Sequence, residues 1–362
     1  MSRHDQKGQI KNLLDLEAQS GPVVTITIPL DPKLDDTRLD KIQTDSLVDS
    51  AKDAFQKVYK PELWNAYEFQ IKNYLKTLKP NASIAQGVVL YVTNDSLVAY
   101  KLNYAPQPAF SFSDKLQIFP VIKELEFVPN FDMLFLERDS YKLYNVKDLD
   151  VTDPDNVPAD PFNSDKTETN TIKDPKKNGP EWDTHDYYEE VDKYVQKRYS
   201  DVDHNPLVLV ANAEDAGRFE KASHNPYLTT DKAVEIDADV KNAGENAQEI
   251  AQRIHDQFVD DAKKAVKGKY SAMLGAKKAS DNFDEIVKAA QEDRIETLLV
   301  QDDAYVESKD NGETTEINTN GSRPANELNT LALTVLGLDG DVVDLPAADM
   351  PSDAKVAAIF RW

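Results

Sequence analysis

Short apolar runs alternate along the chain with amphipathic stretches of helical period, and no repeat of fixed length recurs. Ile10, Leu13, Leu14 and Leu16 crowd one side of a predicted helix over 10–18, and the run Val23-Val24-Thr25-Ile26-Thr27-Ile28 reads as a buried strand. Two long helices should follow. One covers 37–59. The other opens at Pro61, a residue favoured in a first helical turn because its missing N–H would have no intrahelical partner there. It carries Trp64, Tyr67, Ile71, Tyr74, Leu75 and Leu78 at spacings of three and four. Residues 87–92 and 97–102 flank Thr93-Asn94-Asp95 as a β-hairpin, and 133–137 with 142–146 flank Arg138-Asp139-Ser140 as a second.

From 148 to 180 the pattern dissolves. Eight acids, four lysines and five prolines accompany only scattered apolar residues, too few to offset the entropy of ordering, so a long mobile loop is expected. Order returns with a helix over 186–199, a strand at 207–210, and an amphipathic helix whose Ala247, Ile250, Ala251, Ile254, Phe258, Ala262 and Ala265 share one face. The remainder reads as helix 283–291, strand 297–301, a polar excursion 308–323, helix 326–336, and strands 342–345 and 356–361. The succession predicts an α/β (mixed α+β) protein of three domains. They are an N-terminal α/β domain over 1–128, a middle domain over 129–269 that holds the loop, and a C-terminal α/β domain over 270–362.

Composition changes the picture mainly through charge. The 362 residues, 40% of them hydrophobic, can fill a core in each domain, but 42 Lys+Arg against 65 Asp+Glu leave a net charge of −23. Such a chain repels phosphate and anionic lipid, so neither DNA nor a membrane is expected as a partner, and contact with RNA requires a local basic patch. The absence of cysteine removes disulfides, thiol nucleophiles and thiolate metal sites, and suits a reducing cytoplasm. The first residues lack an apolar signal core, and no apolar run approaches the roughly 20 residues of a spanning helix, so a cytoplasmic location is expected.

Much chemistry is excluded. No two of the twelve glycines are adjacent, so neither a phosphate-binding loop nor a dinucleotide fingerprint can be assembled. His4, His185, His204, His224 and His255 never fall at zinc-binding spacing, and neither a metal nor another cofactor is expected. His255 reads as a helix-surface residue, and His185, beside the loop, could meet a carboxylate. Among the acidic pairs Glu189-Glu190, Asp260-Asp261 and Asp302-Asp303, the last stands out because it follows a strand end, where open α/β sheets place ligands. Chance pairing in so acidic a chain explains the others, and no catalytic residue is assigned. Two basic patches stand against the global charge. Lys263, Lys264, Lys267, Lys269, Lys277 and Lys278 lie between Asp261 and Asp281 with no acid among them, and Lys72, Lys76 and Lys79 follow one another along the helix of Trp64 and Tyr67. These nine are the candidate nucleic-acid contacts, their field reaching about one Debye length, roughly 8 Å.

Phe119-Pro120-Val121-Ile122-Lys123-Glu124-Leu125, leading into the hairpin of Asp132 to Glu137 and Lys142 to Tyr144, resembles the entry to the middle domain of bacterial relatives of the archaeal and eukaryotic class-I release factors, the family that includes Pelota. Ile286 to Val300 resembles the helix and strand that open that family's C-terminal domain, and Ala357-Ala358-Ile359-Phe360-Arg361-Trp362 resembles its ending. The resemblance implies three domains, the last folded like kink-turn-binding ribosomal proteins, and a ribosome, tRNA or rRNA partner. Release factors carry a hydrolytic Gly-Gly-Gln tip in the middle domain. This chain has no Gly-Gly pair, and its one Gly-Gln pair, Gly8-Gln9, lies in the N-terminal part; Asn-Ile-Lys-Ser is also missing. The expected role is therefore non-hydrolytic occupation of a tRNA site in rescue, stalling or hibernation. Two other readings stay open: a hydrolase of RNA or peptidyl-tRNA using dispersed residues such as Asp302, Asp303 and His185, and an acidic adaptor for a basic protein.

Overall fold

The computed structural model describes residues 12–18, 21–31, 34, 39–78, 84–125, 129–137, 140–153, 184–235, 243–308 and 315–362. The chain divides into two compact units. A middle unit comprises 82–84 and 129–259, with residue 1, and an outer unit comprises 2–81, 85–128 and 260–362. The residues read as the first and third domains thus lie in one unit.

The outer unit begins with β1 (Val23–Pro29) and α1 (Lys41–Phe55), whose first turn is capped by Asp40 accepting from the Gln43 N–H at 2.9 Å. A single 3₁₀ turn at Pro61–Leu63 then leads into α2 (Trp64–Thr77). The predicted hairpin is β2 (Gly87–Val92) and β3 (Leu97–Leu102), followed by β4 (Ala109–Ser113) and α3 (Phe119–Leu125). Strand period 2 sorts the side chains. Val24, Ile26, Ile28, Val88, Leu90, Val92, Phe110 and Phe112 pack against Leu47, Val48, Ala51, Phe55, Trp64, Tyr67 and Ile71 of the two helices, while Val89 and Tyr91 point into a second core.

The middle unit holds β5 (Phe131–Leu136), β6 (Tyr141–Lys147), β7 (Asp150–Thr152), α4 (Thr184–Val195), β8 (Leu207–Ala211), α5 (Ala213–Ala222) and β9 (Val234–Glu235), in the sheet order β7-β6-β5-β8-β9. Strand β7 corrects the start of the expected loop, because Val151 is buried and pairs with Val146; residues 154–183 lie outside the described residues. The helix α6 (Ala243–Gly275) then runs for 33 residues, straight through position 270 where the sequence predicts a domain boundary. His255 is not a surface residue. Its spacing of four and eight from Ala251 and Ala247 places it in their stripe, and it is fully buried; burial holds its imidazole below the ordinary value against the pull of Asp256.

The chain returns to the outer unit with β10 (Ala279–Ser280), α7 (Phe283–Gln291), β11 (Ile295–Gln301), β12 (Thr315–Asn318), β13 (Gly321–Pro324), α8 (Glu327–Gly337), β14 (Asp341–Leu345) and β15 (Val356–Phe360). Four of these strands form a sheet in the order β10-β15-β11-β14. The polar excursion over 308–323 is not a loop throughout: β12 and β13 form a hairpin that joins the N-terminal sheet beside β4, giving the order β13-β12-β4-β1-β2-β3. Its hydrogen bonds come from backbone groups, so a polar sequence suffices.

Asn329 ties the C-terminal part of the outer unit to its N-terminal part. Buried on α8, it accepts from the Ile118 N–H at 3.0 Å and donates to the Leu116 carbonyl at 2.9 Å. Asn329→Ala should leave the Ile118 N–H without its partner, at a cost of about 1–3 kcal/mol. A lowered urea midpoint with an unchanged m-value is the expected result; an unchanged midpoint would show that another group satisfies it.

Candidate functional site

The alternation that sends Phe110 and Phe112 toward α1 and α2 sends Thr25, Thr27, Ser111, Glu316 and Asn318 to the opposite face, where Thr25 pairs with Ser111 and Ser111 with Asn318 across β1, β4 and β12. A cleft of about 610 Å³ within the outer unit is lined by these residues together with Tyr104, Lys123, Asp302, Asp303, Tyr305, Arg323 and Asp344. Asp302 and Asp303 follow β11, and the parallel pairing of β11 with β14 sets Val300 beside Asp344, so the carboxylates gather at the carboxyl end of two parallel strands.

Lys123, on α3, forms an ion pair with Asp302, and its ammonium also lies 4.8 Å from the centre of the Tyr104 ring. Asp344 is buried, and its carboxyl is pushed up to about 7, first by burial and then by the charge of Asp302, with Lys123 pulling the other way. Glu316 is only 2% exposed. Its Oε1 accepts from Arg323 at 2.9 Å and from Asn318 at 3.1 Å, and the Arg323 guanidinium lies 4.8 Å from the centre of the Tyr305 ring. Among the described residues no three acids or histidines are grouped so as to hold a metal ion.

Sequence reasoning finds Asp302 and Asp303 but misses Lys123, Glu316, Arg323 and Asp344. A signal exists for one of them: Asp344 interrupts the apolar run Val342-Val343-Asp344-Leu345 of a buried strand, where a charge demands a reason. The others depend on the hairpin β12–β13 and on α3, which meet the cleft only through tertiary structure. His185 lies in the first turn of α4, in the middle unit, and its side chain lies outside the described residues.

Three lysines of the long segment face acids: Lys264 with Asp261 at 3.5 Å, Lys267 with Asp349 at 3.3 Å and Lys269 with Glu296 at 2.6 Å. Lys277 and Lys278 are exposed just past the end of α6, where Lys277 has a φ of 58° and the Lys278 N–H closes the helix on the Met273 carbonyl at 2.8 Å. Lys263 is half-buried on the same helix. On α2, Lys72 pairs with Glu68 and Lys76 is exposed, while Lys79 lies outside the described residues.

Residues 130–294 match the family model of the bacterial archaeo-eukaryotic release factor family 3. That match spans a little under half of the chain and marks this segment as release-factor-like. Comparison with curated proteins finds no match. Among solved structures, the chain is similar to Archaeoglobus fulgidus Pelota at 16% identity and a TM-score of 0.40, over 76% of this chain and 79% of that one. It is also similar to Saccharomyces cerevisiae Dom34, described as a translation termination-like factor involved in RNA quality control and interacting with Hbs1, at 14% identity and a TM-score of 0.37, over 76% and 81%. The ribosome-bound archaeal Pelota with ABCE1 matches at 11% identity and a TM-score of 0.40, over 98% and 94%.

Proposed function

We propose that this release-factor relative associates with the ribosome and occupies a tRNA site without hydrolysing peptidyl-tRNA, in rescue, stalling or hibernation. The observation that carries the reading is the release-factor match over residues 130–294 in a chain with no Gly-Gly pair from which a hydrolytic tip could be built. The cytoplasmic location and the kink-turn-like character of the C-terminal sheet belong to the same reading.

The candidate RNA contacts are the segment from Lys263 to Lys278, with Lys72, Lys76 and Lys79. The acids facing Lys264, Lys267 and Lys269 reduce what those three can offer to phosphate, so Lys263, Lys277 and Lys278 carry the larger share. Sucrose gradients of growing and stationary cells test the function: the protein is expected in ribosomal fractions in at least one state, and absence from all of them in both would refute it. With purified ribosomes, replacing the segment's six lysines by glutamine should flatten the fall of log K with log salt by up to about 0.7–0.9 for each phosphate that is no longer neutralised. Circular dichroism should remain unchanged.

A further inference from the structure

The cleft of the outer unit holds two buried polar atoms that lack hydrogen-bond partners, Glu316 Oε2 and Thr25 Oγ1. Buried polar groups are nearly always paired, and a carboxylate oxygen is among the costlier to leave unmatched. Both stand on the polar face of one sheet, on β12 and β1, and both residues line the cleft. Three charged carboxylates, those of Asp302, Asp303 and Glu316, with Asp344 only partly ionised near neutral pH, face two cationic side chains, Lys123 and Arg323, so the lining as a whole still favours a cation.

We propose that this cleft binds a linear polyamine. The acids are divided between β12 and the ends of β11 and β14, and among the described residues they do not converge as metal ligands would. Separated negative groups suit a ligand whose own charges are spaced along a flexible apolar stem. Protonated nitrogens would donate to Glu316 Oε2 and Thr25 Oγ1 and to the Asp302–Asp303 end. The stem would lie along the rings of Tyr104 and Tyr305, which already hold cations at 4.8 Å. A volume of about 610 Å³ is ample for such a molecule.

The net charge of −23 attracts any polycation diffusely, so the test must separate a site from an atmosphere. Calorimetric titration of the full chain with spermidine in about 0.15 M KCl, where the Debye length is about 8 Å, screens the diffuse component. One saturable site per chain is expected. Glu316→Gln and Asp303→Asn should each weaken it by roughly tenfold or more, since each removes a charge-assisted hydrogen bond or a facing charge. The control Glu214→Gln, an exposed acid of α5, should leave it unchanged. Should Glu316→Gln fail to fold, the exposed Asp303→Asn carries the test alone. Unsaturable uptake, full affinity in the folded cleft variants, or displacement of spermidine by equimolar magnesium would overturn the assignment.

Discussion

Phe55→Ala should lower the unfolding free energy by about 3–5 kcal/mol, the cost of removing a fully buried phenylalanine from a core that cannot collapse around the void. Phe55 is entirely buried, and its ring lies 4.8 Å from that of Tyr59, 5.2 Å from Tyr67, 5.3 Å from Trp64 and 5.5 Å from Phe112, centre to centre. The residue therefore joins both helices to the sheet. Its neighbours are held from several directions: the Tyr67 hydroxyl donates to the Pro22 carbonyl at 2.9 Å, and Phe112 stacks on Phe110. Phe55→Leu, which keeps most of the volume, should lose markedly less. Chemical denaturation followed by tryptophan fluorescence, to which Trp64 contributes, measures both; a loss below about 1 kcal/mol for the alanine variant would mean the aromatic cluster repacks.

Stability should also fall as pH rises from about 4 to 7, with Asp344 as a principal cause. Its carboxyl titrates near 4 when unfolded and at about 7 in the fold, so between those limits the native state holds a proton that the unfolded chain releases. The contribution is complete below the unfolded value and lost as pH passes the folded one. Asp344→Asn keeps the shape without the charge and should flatten this slope, leaving the variant more stable than the parent at pH 7 by something on the order of 2–4 kcal/mol. Near pH 4 the two should be alike. Asp132 acts in the same direction in the middle unit, pushed up to about 6 by burial and only partly relieved by Asn145 donating at 2.5 Å, so part of the slope persists when Asp344 is replaced. Glu68 is held below its ordinary value, chiefly by its hydrogen bond from Lys72; its stabilisation begins to fade at the acid edge of this window, where it opposes the slope, and is lost as pH falls further. Denaturant midpoints at several pH values decide the matter, and parallel profiles for parent and Asp344→Asn would contradict it.

Both residues show how far the sequence can be read. Helix α2 is legible because its apolar positions recur at three and four, and the hairpin β2–β3 because β-branched and apolar runs bracket a polar turn. Strand β4 escapes notice: Phe110 and Phe112 alternate with serine over only five residues, too short a signal to separate from loop. Strands β12 and β13 carry even less, since Glu316, Asn318, Ser322 and Arg323 are the composition of an exposed turn, and only pairing with β4 gives them a place. The cleft inherits this difficulty. Asp302 and Asp303 can be flagged from a strand end, whereas Glu316 and Arg323 become part of a site only when a sheet edge recruits their hairpin. His255 misleads for a simpler reason, its polarity outweighing a spacing that puts it in the apolar stripe.

The recruited hairpin also sets a schedule for synthesis. Strand β4 emerges from the ribosome about 200 residues before β12, and at about 5–20 residues per second that interval is roughly 10–40 s. During it, the N-terminal sheet presents β4 as an open edge, its backbone donors and acceptors available to any extended chain nearby. Only the last part of the polypeptide closes that edge, through two register pairs, Ile317 with Phe112 and Asn318 with Ser111, and through Thr319, whose hydroxyl accepts from the Phe110 N–H at 2.9 Å. A nascent chain arrested anywhere in its middle unit therefore carries an unprotected strand.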